Sequence, residues 1–199
     1  MTKGVETLVE TKNIRILLAD DHNIMRRGLR LLLERQPGFE VIGEAADGRQ
    51  AVERAEATKP DVVVLDIAMP NMSGIEAAQR ISALLPSAAT VILSMHSDEG
   101  YVLRALKAGA KGYVLKDSAE NDLIEAIKAV SAGKAFFSPE ISNILVEDYV
   151  REMKKRGAED SYELLTPRER EILQLLAGGK SNKDIATLLN LSLYPTFPF

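Results

Sequence analysis

From Asn13 to Gly133, apolar runs alternate with amphipathic stretches. IRILLA (14–19) is nearly all apolar and reads as a strand. MRRGLRLLLER (25–35) puts Met25, Leu29, Leu32 and Leu33 on one helical face. FEVIGEA (39–45) alternates as an edge strand does, and Asp47–Gly48 turns the chain into the helical RQAVERAEATK. DVVVLDI (61–67) is continuously apolar before its acid, so it belongs at the sheet centre. After the loop MPNMSG come the helix IEAAQRISALL, the strand TVILSM (90–95) and the helix EGYVLRALKAGA. GYVLK (112–116) is a short strand, and Ser118 reads as the cap of AENDLIEAIKAVSAG, whose first turn is acidic. Five strands and five helices in strict alternation predict an α/β fold: a parallel, doubly wound, flavodoxin-like sheet with helices on both faces.

The pattern changes after Gly133. A helix is predicted from Pro139 to about Lys155, followed by the polar linker KKRGAEDS. LLTPREREILQLLAGGKSNKDIATLLNLS then opens an all-α unit. Thr166 and Glu169 form a capping box around Pro167, Gly178–Gly179 end that helix, and Ser181 caps the next. The predicted divisions are 13–133 for the α/β domain, 134–163 for a helical linker and 164–199 for the helical unit.

Composition narrows the chemistry. With 46% hydrophobic residues among 199, a large core is available, and with no Trp it is mostly aliphatic. Cysteine is absent, which removes thiol catalysis and cysteine-held metals. The net charge of −4 argues against bulk coating of nucleic acid. No apolar run reaches membrane-spanning length and the N-terminus does not read as a secretion signal, so a cytoplasmic, soluble protein without membrane contact is expected.

The polar residues that end the strands carry the chemistry. Asp20 and Asp21 end the first strand, Asp66 the third, Ser94 the fourth and Lys116 the fifth. In an open parallel sheet, ligands bind beyond the carboxyl ends of the strands. Three clustered carboxylates raise one another's pKa values unless a cation compensates. Oxygen ligands of this kind suit Mg²⁺ together with a phosphate. One carboxylate could attack phosphorus, with a lysine and a hydroxyl stabilising the added charge. Asp66, alone on the central strand, is the nucleophile candidate. His22 and His96 read as surface or loop residues.

Asp20–Asp21, VVVLDIAMPNMSG, VILSMH and GYVLKD, in this order, resemble the receiver domain of two-component response regulators over roughly residues 13 to 133. The resemblance implies that Asp66 accepts a phosphoryl group from a sensor histidine kinase. It implies Mg²⁺ held by Asp21, Asp66 and the backbone carbonyl of Ala68, with Asp20 acting through a metal-bound water. Lys116 and Ser94 would hold the phosphoryl oxygens, and Ser94 and Tyr113 would form the switch. The helical unit is similar to the first half of a LuxR-type helix-turn-helix, so the pair resembles NarL/FixJ transcription regulators. In them the next helix reads the DNA major groove.

Here Ser192 stands where that helix should be capped, yet LSLYPTFPF carries two prolines and no Lys or Arg follows Lys183. Residues 150–199 hold eight Lys/Arg against seven Asp/Glu, so no basic stripe compensates. The expectation is a unit truncated before its recognition helix, with Ser181, Asn182 and Lys183 as residual scaffold and DNA binding weak or absent. Exposed Leu173, Leu176, Ile185 and Leu188 would then favour self-association, and a homodimer is left open. The competing readings are a receiver acting by protein contact or as a phosphate sink, and an aspartyl-phosphate enzyme. Ala68 stands where such an enzyme would place its general acid, so a non-enzyme is expected.

Overall fold

The structure, a computed structural model, describes residues 13–155 and 167–177. They divide into two compact units, one of residues up to Met95 together with Arg104–Phe136, the other of His96–Leu103 together with the chain from Phe137.

The strands are β1 (Ile14–Ala19), β2 (Phe39–Ala45), β3 (Val62–Asp66), β4 (Ala89–Ser94), β5 (Gly112–Leu115) and β6 (Phe136–Phe137). Their order in the sheet is β2-β1-β3-β4-β5-β6, and the four pairings among β1 to β5 are parallel. β3 is buried along its whole length, as its unbroken apolar run requires at a central position. β2 alternates and lies at an edge. The sixth strand departs from the expected five. It is two residues long, anchored where Phe136 N–H donates to Lys111 O, and such a length leaves no periodic trace in sequence.

The helices are α1 (Asn23–Glu34), α2 (Gly48–Thr58), α3 (Gly74–Leu84), α4 (Glu99–Lys107), α5 (Ala119–Ser131), α6 (Pro139–Lys155) and α7 (Pro167–Ala177). On α1, Leu29 and Leu33 are buried, but Met25 is exposed, so the core-facing stripe is narrower than the sequence reading. Asp47 caps α2 by accepting from Gln50 N–H. Ser73 and Glu76 close a reciprocal capping box on α3, a Ser-x-x-Glu pattern inside what reads as a loop. Ser118 does occupy the N-cap position of α5, but its hydroxyl makes no cap bond. It bonds instead to Asp122 Oδ2 at 2.7 Å and Leu115 O at 3.3 Å. The cause is a single 3₁₀ turn over Lys116–Ser118, which takes the chain out of β5 one residue earlier than expected.

The core of the first unit joins Ile16 and Leu18 of β1, Val62 and Val64 of β3, and Val91 and Leu93 of β4 to Leu123 and Ile127 of α5. In the second unit α6 packs against α7. Ile141 is fully buried, and Leu173 is partly buried rather than exposed. Thr166, Gly178, Gly179, Ser181, Asn182, Lys183, Ile185, Leu188 and the segment 191–199 lie outside the described residues.

Candidate functional site

The strand register brings the polar strand ends together. Ala19 is level with Leu65, so Asp20 follows β1 beside Asp66 on β3. Asp66 is level with Leu93, and Ser94 with Leu115, so Ser94 and Lys116 continue the row across β4 and β5. Asp20 and Asp66 expose only 1% and 3% of their surface.

Lys116 ties the row together. Its Nζ donates to Asp20 Oδ2 at 2.9 Å and stands 3.0 Å from Asp66 Oδ2. The second contact is an ion pair without hydrogen-bond geometry, since Asp66 Oδ2 is buried and accepts no hydrogen bond. Burial pushes the Asp66 carboxyl above its ordinary range. Lys116 pulls it down, and the neighbouring Asp20 charge adds to the rise. Burial opposes the Lys116 ammonium as well, but its two carboxylate partners outweigh that and hold it above the usual lysine range. The ammonium is therefore charged at neutral pH.

The other oxygen of Asp20, Oδ1, accepts from His22 N–H at 2.7 Å, so this carboxylate also ties down the entry to α1. Arg26 donates to the Asp20 backbone carbonyl and, through Nε, to Glu44 Oε2 at 2.9 Å. Glu44 accepts from Arg30 as well. These groups brace the end of β1, and sequence reading does not single them out, because Arg26 and Glu44 meet only after β1 and β2 pair. Gly74 is a further hidden requirement. A Cβ there would lie 1.9 Å from the Asp66 carbonyl oxygen, so α3 can begin hard against the site strand only with glycine.

Asp20, Asp21, His22 and Asp66 each offer one ligand atom, and these atoms lie within 4.8 Å of one another. Asp21 Oδ1, like Asp66 Oδ2, is buried and accepts no hydrogen bond. Among the described residues, Lys116 is the one ammonium beside the Asp20 and Asp66 carboxylates, and the remaining negative charge of the three acids suits a hard divalent cation. Asp66 receives the backbone N–H of Ala68. Ser94 and Tyr113 are fully buried. Tyr113 thus stands with its ring inside the protein.

A doubly wound parallel sheet with an acid triad and a lysine at its carboxyl edge is the arrangement of a receiver-type α/β module. The comparisons agree. Residues 16–128 match the family described as "Response regulator receiver domain", and residues 163–193 match "Bacterial regulatory proteins, luxR family". The chain is 37% identical to the transcriptional regulatory protein DegU of Brevibacillus brevis, covering 92% of this chain and 83% of that one. It is 41% identical to the uncharacterized transcriptional regulatory protein YxjL of Bacillus subtilis, covering 90% and 82%. A LuxR-family response regulator from Aurantimonas sp. SI85-9A1 superposes with a TM-score of 0.67 at 42% identity, covering 70% of this chain and 99% of that one. The response regulator RcsB, solved in complex with DNA, superposes with a TM-score of 0.64 at 30% identity, covering 91% and 85%. The chain belongs to the two-component response regulators of the NarL/FixJ type, which join a receiver domain to a LuxR-type helix-turn-helix.

Proposed function

We propose that Asp66 is the phospho-acceptor and that a sensor histidine kinase is the donor. The observation that supports this most is Lys116 Nζ standing 2.9 Å from Asp20 and 3.0 Å from Asp66 at the strand ends. An ammonium held there neutralises charge where a phosphoryl group would arrive. In the transfer, a carboxylate oxygen of Asp66 attacks phosphorus in line. The P–N bond to the kinase imidazole breaks, and the nitrogen keeps the electron pair. Lys116 then stays with the transferred oxygens, and the Ser94 hydroxyl donates to one of them.

Asp21, Asp66 and the Ala68 carbonyl would hold Mg²⁺ directly, and Asp20 would act through water. When bound, Mg²⁺ supplies positive charge that screens the incoming phosphoryl oxygens from the carboxylates. Ser94 and the buried Tyr113 form the switch through which the acyl phosphate is felt at α4 and β5. No acid stands two residues after Asp66, where Ala68 is, so the acyl phosphate hydrolyses without a protein general acid and the protein is not a turnover enzyme.

The output we assign to the LuxR-type segment is duplex DNA. Residues 184–199 contain no Lys or Arg, so these residues add little phosphate attraction of their own. The receiver division 13–133 and the linker 134–163 are part of the same proposal.

The test is incubation of the full chain with acetyl phosphate and Mg²⁺, read by intact mass. One added phosphoryl group is expected, and none on Asp66→Asn. Equal labelling of the variant would overturn the assignment.

A further inference from the structure

The acidic site has a neighbour that the proposed reaction does not use. His22 Nδ1 lies 2.7 Å from Asp21 Oδ1 and 3.4 Å from Asp20 Oδ1. At 2.7 Å a hydrogen bond would be expected, yet Asp21 Oδ1 accepts none. The ring nitrogen stands beside the oxygen rather than aiming a proton at it. His22 occupies the N-cap position of α1, but its side chain caps no backbone N–H there. Capping therefore does not explain where the ring sits.

Two lone-pair atoms side by side are the arrangement of adjacent ligands on one cation. In an octahedral site with bonds of about 2.1 Å, adjacent ligands stand roughly 3.0 Å apart. The observed 2.7 and 3.4 Å bracket that edge. A second observation is independent of His22. Asp20 and Asp66, 1% and 3% exposed, stand together at the strand ends, and among the described residues a single lysine, Lys116, lies between them, so buried negative charge exceeds the positive charge beside it.

We propose that His22 Nδ1 is a nitrogen ligand in the cation site of Asp21 and Asp66, so that the site takes imidazole-seeking divalent metals of the Mn²⁺–Co²⁺–Zn²⁺ class as well as Mg²⁺. The proposal rests on the reading of that cluster as the cation site. A neutral imidazole with its proton on Nε2 offers Nδ1 as a lone-pair donor. The His22 side chain is 68% exposed, so Nε2–H can be satisfied by water while Nδ1 faces the acids. Mg²⁺ prefers oxygen and keeps several waters, so it gains little from the ring. Imidazole suits the later first-row metals, whose affinity for such a site rises along the series towards copper. His22 would therefore set which metal occupies the site without being needed for Mg²⁺.

The experiment uses the full chain, with Mn²⁺ as a spectroscopic probe and Co²⁺ and Mg²⁺ as titrants. Pulsed electron paramagnetic resonance of the Mn²⁺ form is expected to show coupling to a directly bound ¹⁴N. The coupling should vanish in His22→Ala and persist in His96→Ala. By calorimetry, His22→Ala should lose on the order of tenfold in Co²⁺ affinity while Mg²⁺ affinity changes less than about twofold. A circular-dichroism melt of the metal-free variant close to that of the parent shows that the loss is local. If Mg²⁺ binds in an Asp66-dependent way but ¹⁴N coupling is absent, or Co²⁺ affinity is unchanged in His22→Ala, the His22 ligand is overturned while the cation site stands. If neither Mg²⁺ nor Mn²⁺ binds, or Asp66→Asn binds both unchanged, the reading of the cluster itself fails and the His22 ligand fails with it.

Discussion

At Asp66 a carboxylate is kept where its charge is disfavoured. Burial raises its pKa despite Lys116, so the folded protein takes up this proton more readily than the unfolded chain. The charged carboxylate costs stability at neutral pH, and the cost disappears as pH falls through the raised folded value towards the unfolded one. Lys116 is not orphaned by loss of Asp66, because Asp20 still accepts from it. Metal-free Asp66→Asn is therefore expected to melt above the parent at pH 7, and the two should converge at acid pH. Melts at several pH values in a chelating buffer check this, and a lower melting temperature for Asp66→Asn at pH 7 would contradict it. Gly74 makes the opposite case, a residue with no side chain on which the site depends. In Gly74→Ala the new Cβ must displace the Asp66 carbonyl or α3. A loss of about 1–3 kcal/mol in urea unfolding is expected. Slower labelling by acetyl phosphate should accompany it, since small displacements of reacting groups are costly.

Between elements, the end of β1 is held to α1 and β2 by charge. Arg26 and Arg30 of α1 both reach Glu44 of β2. The hydrogen bond from Arg30 lowers the Glu44 pKa against the opposing effect of burial, with Arg26 adding to the lowering. A depressed carboxylate contributes stability above its unfolded pKa and loses it as pH falls through the folded value. Glu44→Gln should thus cost about 1 kcal/mol at pH 7, and the difference from the parent should shrink as pH falls below the ordinary glutamate range through the lowered folded value. Urea titrations at pH 7 and at acid pH measure it. The elements also show what sequence could reveal. β1, β3 and β4 are legible because their runs are mostly apolar and are closed by Asp20, Asp66 and Ser94. α6 was legible from Pro139 to Lys155 because its apolar spacing runs unbroken. β6 is too short for periodicity, and the 3₁₀ turn at Lys116 has no local signature. The Arg26–Glu44 pair joins residues eighteen apart, which only the sheet register brings together. Met25 falls on the apolar face by spacing but sits at the surface in the first turn of α1, ahead of the buried Leu29 and Leu33.

Over the whole chain, the candidate site was more legible than the individual contacts that shape it. Asp20, Asp66, Ser94 and Lys116 could be placed on one edge from strand ends alone, because parallel topology puts every carboxyl end on the same side. His22 reads as a surface residue and its side chain is 68% exposed; what sequence does not give is its 2.7 Å distance to Asp21. Among the described residues, no helix is long and apolar enough to cross a membrane.

If Asp66 is the acceptor, phosphorus becomes bonded to one oxygen of that one residue. The most direct measurement is borohydride reduction of the chain after treatment with acetyl phosphate and Mg²⁺, followed by peptide mass mapping. Borohydride converts an aspartyl phosphate to the corresponding alcohol, homoserine, and marks the acceptor permanently. Homoserine is expected at position 66 and at no other acid. Conversion at Asp20 or Asp21 with Asp66 intact, or no conversion in a chain that binds Mg²⁺, would contradict it.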